Sequence, residues 1–194
     1  MSDFADAISP WDGKTTSWLA NVHDRFVGNS RYPDDLLDAI CNVPNQRAAT
    51  WLIKHHLEQG GVINTRALSD ILSDQGVRAG ILSDPHSHLH LLQIMPLIRG
   101  ALPDLKAFDD TAWPDIVAAG QSSPHKFNRA WGWQGAFELL LTRHQLIAQK
   151  GVNKNALVRE TGRFAKDVAK ALEVETGSVA ARLRHIAKEL ERLK

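Results

Sequence analysis

The sequence predicts an all-α protein, and three observations carry that prediction. Apolar residues recur at spacings of three and four from residue 15 onward, the period of a helix with one apolar face. No convincing run alternates apolar and polar residues as a half-buried strand does. The periodic stretches are separated by residues that cap or break helices, not merely by polar ones.

The elements follow in order. Residues 1–14, with Pro10 and Gly13 and no sustained period, are expected as a poorly ordered lead-in. Helices are expected over 15–27, 33–42, 46–59, 64–75, 86–99, 112–120, 126–149, 153–172 and 177–193. Gly60-Gly61 ends the third of these, Ser83-Asp84-Pro85 leads into the fifth, and Gly100 with Pro103 closes it. Ser123-Pro124 opens the helix from 126, and Thr176-Gly177-Ser178 opens the last. Pro96 is expected to bend its helix near the end.

Composition narrows the class. The 194 residues are 43% hydrophobic and 23% charged, close to the globular average, which excludes a collagenous or disordered chain. The single cysteine, Cys41, permits neither an intramolecular disulfide nor a thiolate metal cluster. No stretch approaches the roughly 20 apolar residues of a membrane helix, and the first residues are acidic where a signal peptide is basic. A cytoplasmic protein without a membrane partner is expected.

Four segments are alike: Arg47-Ala-Ala-Thr-Trp-Leu, Ser87-His-Leu-His-Leu-Leu, Arg129-Ala-Trp-Gly-Trp-Gln and Ser178-Val-Ala-Ala-Arg-Leu. Their starts lie 40, 42 and 49 residues apart, with a second helix between successive copies. With these entries the chain resembles small HEAT-like helical repeat proteins over about residues 33–194, departing from a regular array at 143–172 and Pro96. The resemblance implies a short right-handed α-solenoid of four to five helix pairs, a single domain over 15–194. Leu52, Leu57, Leu91, Leu92, Ile98, Phe137, Leu140, Leu141, Leu183, Ile186 and Leu190 are the expected core. Trp51 and Trp133 occupy equivalent repeat positions, which favours packing for both.

The net charge of +1 hides an asymmetry. Residues 1–122 carry 9 Lys/Arg against 15 Asp/Glu, and 123–194 carry 14 against 7. The basic part is suited to an acidic partner. Its densest feature is His125-Lys-Phe-Asn-Arg-Ala-Trp-Gly-Trp133, in which Trp131 and Trp133, two apart, diverge by about 200° on a helix. An exposed indole beside Lys126 and Arg129 has the composition of an interaction hot spot. Together with Arg182, Arg184 and Lys188, the residues Lys126, Arg129, Trp131 and Trp133 form the expected partner-binding set.

Two functions compete for that set, and the sequence favours the first. The first is a non-enzymatic interaction module that binds another protein through a curved repeat surface. The second is nucleic-acid binding by the basic part, through a groove of the array or a helix-turn-helix over 166–188, where Glu173 takes the place of the usual turn glycine. A third, enzymatic possibility rests on Asp109, Asp110, Asp115 and Trp113, a cluster similar to the acidic and tryptophan residues of helical-repeat DNA glycosylases. His86, His88 and His90 with His55-His56 invite a metal, yet His86 and His90 alone share a helix face and no third ligand is evident. No phosphate-cradling glycine loop or nucleophile elbow occurs. The sequence therefore favours a binding protein with no cofactor and no metal.

Overall fold

The computed structural model describes residues 3–42, 45–99, 112–148 and 153–193, the last three of 112–148 as backbone only. It is all-helical, with no strand among the described residues. Its helices are α1 (Asp3–Ile8), α2 (Thr16–Phe26), α3 (Tyr32–Ile40), α4 (Gln46–Glu58), α5 (Thr65–Ser73), α6 (Gln75–Ser83), α7 (Pro85–Arg99), α8 (Ala112–Gln121), α9 (Lys126–Ala148), α10 (Lys154–Val174) and α11 (Gly177–Glu191). Contacts gather into two compact units, Met1–Leu102 and Pro103–Lys194.

In the first unit, two helices depart from expectation. Residues 3–8 form α1, not a loose lead-in, because Phe4 and Ile8 are one turn apart and almost wholly buried. The ring of Phe4 meets Phe26 and Tyr32 edge-on, both at 5.4 Å. Asp12 fastens the link to α2 by accepting from the backbone N–H of Lys14 and Thr15. The helix expected over 64–75 ends at Ser73, and α6 begins at once. Asp74 adopts an extended conformation and serves both helices, closing α5 and accepting from the N–H of Val77 to cap α6. Two helices of nine residues that share one capping aspartate leave no gap for a break to register in the sequence.

The core of this unit forms where α4 packs against α7 and α3. Leu52, Leu91, Leu92 and Ile98 are buried as expected, and Leu57 is half-buried. α7 runs through Pro96 to Arg99. The core also holds histidines. Thr50 spends its hydroxyl proton on the carbonyl of Arg47, so His90 Nδ1–H donates to Thr50 Oγ1 at 3.1 Å. His56 Nε2–H donates to the Val62 carbonyl at 3.4 Å, which leaves its Nδ1 to accept from His23 Nε2–H at 3.3 Å. Trp51 stacks on His55, one turn along the same helix, at 4.8 Å.

In the second unit α9 is central, packing against α8 and α11, while α10 packs mainly on α11. Phe137, Leu140, Leu183, Ile186 and Leu190 are buried in one cluster with Leu157, Val168 and Val179, and Leu141 packs against it. Trp113 of α8 is wholly buried. At Gly132 the α9 backbone lies so close to the end of α8 that a Cβ there would sit 2.3 Å from the Gln121 nitrogen and 2.5 Å from the Gly120 carbonyl carbon. Only hydrogen fits at that position.

Two outcomes test this packing. Gly132→Ala presses a methyl against backbone that has no rotamer to change, and should cost about 2–3 kcal/mol or more; an unchanged urea midpoint would show that α8 and α9 do not approach so closely. Burial pushes His55 and His56 below the usual histidine pKa of 6.5, and His90 down to about 3, with the Lys54 charge adding to the effect at His90. The unfolded chain therefore takes up more protons below about pH 6.5, and stability present above that value is lost as pH falls; at His90 the loss continues toward pH 3, by up to about 1.4 kcal/mol per pH unit. The melting temperature should fall from pH 7 to pH 5, with a shallower slope in His90→Gln.

Candidate functional site

The seven residues expected at the partner surface divide into internal and exposed sets. Arg129 is internal. Its Nε and Nη2 donate to the two carboxylate oxygens of Glu175 at 2.9 and 3.2 Å, and Nη1 donates to the carbonyls of Ser123 and Pro124 at 2.9 and 3.1 Å. The guanidinium thus ties the entry of α9 to the residue that ends α10. Trp131 and Trp133 diverge as their spacing requires, each toward a different neighbour. Arg182 of α11 covers Trp131 at 4.4 Å, and its Nη1 reaches Gln134 Oε1 at 3.4 Å. Gln134 in turn donates to the buried carboxylate of Glu138 at 2.6 Å. Trp133 instead faces Phe164 of α10, ring centroids 6.2 Å apart. Lys126, Arg184 and Lys188 are exposed.

The most distinctive surface in this unit lies elsewhere. Arg159, Arg163, Lys166 and Lys170 are all exposed on α10, at successive spacings of four, three and four. At about 100° per residue the four side chains fall within about 60° of one another and extend along about 16 Å of helix. They lie opposite the buried residues Leu157, Thr161 and Val168, so α10 is anchored on one face and cationic on the other. Among the described residues none of the four is paired with a carboxylate. Glu160, their neighbour, is held by Arg143. Exposed Gly162 and Ala169 border the line on one side, and the exposed carboxylate of Asp167 borders it on the other. Sequence reasoning passed over this line, although the recurrence of cations at 159, 163, 166 and 170 is readable by the same period that locates a core face.

Beside this line lies a groove of about 710 Å³ formed by α8, α9 and α10. Trp133, Phe164 and Ala171 supply apolar wall, Asp167 and Glu173 carboxylates, and Lys170 belongs to both groove and cationic line. A smaller cavity of about 330 Å³ lies among α9, α10 and α11, where His144 and Thr161 are joined at 3.0 Å.

Other candidates do not assemble. Asp115 is exposed in the first turn of α8, and Trp113 is wholly buried and has no face free for a base; Asp109 and Asp110 lie outside the described residues. His86 is exposed while His90 turns to Thr50, and among the described residues no three His, Cys, Asp or Glu converge as metal ligands. Glu173 is helical, the chain leaves α10 only at Glu175-Thr176, and Gly177 carries the left-handed φ of +61°. The turn of a helix-turn-helix over 166–188 is thus displaced four residues from Glu173, and it follows a helix of 21 residues. No family model, curated protein or solved structure matches the chain.

The bonding of Arg129 has a measurable consequence. Arg129→Ala should destabilise the free protein by about 1–3 kcal/mol, because it strips charged hydrogen bonds from Glu175 and two carbonyls. Arg129→Lys should not restore it, since an ammonium cannot span both carboxylate oxygens and the carbonyls together. A wild-type urea midpoint in Arg129→Ala would show the guanidinium to be free.

Proposed function

We propose that this protein is a nucleic-acid-binding module, non-enzymatic, that lays α10 along a sugar-phosphate backbone. The line Arg159, Arg163, Lys166 and Lys170 carries the proposal. Four unpaired cations over about 16 Å of helix match a strand that presents a phosphate every few ångströms, about 3.4 Å of axis per phosphate in duplex DNA. Exposed Arg184 and Lys188 of α11 add positive charge to the same unit.

A protein partner, the other function considered, would call for an aromatic or apolar anchor at the centre of the contact. In the segment that suggested one, 125–133, Arg129 is engaged internally and Trp131 lies beneath Arg182, while Phe127 is exposed; the α10 line itself has no apolar residue larger than alanine at its centre, and its unpaired cations are what favour nucleic acid. The HEAT-like arrangement is likewise a proposal, for each unit separately. In its favour, α4 packs against α7 and α9 against α11, the pairs of first helices that the repeat spacing sets side by side. Against a regular array, α4 and α5, the two helices of one expected pair, pack little against each other.

Fluorescence anisotropy with a labelled oligonucleotide of mixed sequence tests the function. Binding at about 50 mM salt should weaken as salt rises, with a log–log slope of about −3 to −4 for four phosphate contacts. Lys166→Gln with Lys170→Gln should lower the steepness by about 1.4–1.8 while leaving the circular dichroism spectrum unchanged. Absence of binding at about 50 mM salt, where such contacts are strongest, overturns the proposal.

A further inference from the structure

We propose that the groove beside the α10 line receives an unpaired base, so that the ligand is single-stranded nucleic acid and not duplex; this rests on the backbone-binding function proposed above. Three observations converge. The groove, at about 710 Å³, is open to solvent and has room for a base laid against its wall. Its wall includes two aromatic side chains, Trp133 and Phe164, both only partly buried and tilted 36° to one another, so that each retains ring surface for a flat apolar partner. Lys170 stands in the groove and in the cationic line at once, so a phosphate held on the line brings its own nucleotide to the groove mouth.

Charge selects the occupant. Stacking surface next to unpaired cations is the combination by which single strands are bound without sequence readout, the backbone tracking the charge and the bases lying on aromatic rings. Asp167 and Glu173 in the groove repel phosphate but accept hydrogen bonds, and the exocyclic amino group of an unpaired cytosine or adenine offers the donor they need. A duplex cannot use the groove without first extruding a base from its stack, an unfavourable step that an unpaired strand avoids. The cationic line alone would accept either form.

The experiment compares three labelled probes on the full chain: a single strand of about 12 nucleotides, the same length of abasic sugar-phosphate strand, and the corresponding duplex, with polyglutamate as a fourth ligand. The single strand should bind about 10-fold or more tighter than the abasic strand and tighter than the duplex, and it should quench tryptophan fluorescence where the abasic strand does not. Phe164→Leu should shrink the difference between single and abasic strands without changing affinity for the abasic one. Equal binding of single and abasic strands, or duplex binding as tight as single-strand binding, overturns base insertion and leaves backbone binding standing. Binding of none of the nucleic acids, or polyglutamate binding as tightly as the single strand, overturns both.

Discussion

The close approach of α8 to α9 at Gly120 and Gly132 is the constraint from which the second unit follows. A residue without a side chain lets the two backbones meet, and that contact positions Trp113 and Ile116 of α8 for burial. With α8 held on one side and α11 on another, α9 becomes the shared support of the unit, and Trp131 and Trp133 turn outward to different neighbours. The groove exists because α8 and α10 flank α9 there, with Ala118 and Ala136 leaving space between them. A pair of larger residues at these positions would close it.

Electrostatics in this unit are arranged in two tiers. One set of cations is consumed in fastening helices: Arg129 to Glu175 and two carbonyls, Arg143 to Glu160, Arg182 to Trp131 and Gln134. These pairs are partly shielded from water, so their hydrogen bonds resist salt better than exposed pairs do. The second set, on the outer faces of α10 and α11, has no carboxylate partner among the described residues. Part of the excess of basic residues after 122 is thus gathered on one exposed face of α10.

The first unit is organised around buried imidazoles instead. His56, His23 and His90 satisfy carbonyls, a hydroxyl and each other within a helical core, which apolar residues could not do. Each such bond requires a neutral or singly donating nitrogen in a definite tautomer. The unit thus derives part of its packing from imidazoles that burial disfavours as cations, His56 below the usual histidine range and His90 down to about 3, in contrast to the aliphatic and aromatic cluster of the second unit.

Helix positions were legible in the sequence because the period of apolar residues and the capping of ends are local: Asn64, Asp74 and Asn153 each cap a helix from within three residues of the bond they make. The same local signal located the core residues from Leu52 to Leu190, and the charge count after residue 122 located the basic unit. It failed where two helices share the cap Asp74, and where α1 is too short for a period to emerge. What the sequence could not determine is which cations and indoles are free, because their partners lie far along the chain. Arg129 meets a carboxylate 46 residues away and Arg182 an amide 48 residues away. Lys126 and Arg129 look alike in sequence, as do Arg163 and Arg182, yet one of each pair is exposed and the other committed. Tertiary packing alone decides between them, since a long side chain bonds whatever acceptor the fold brings within reach and otherwise remains in water.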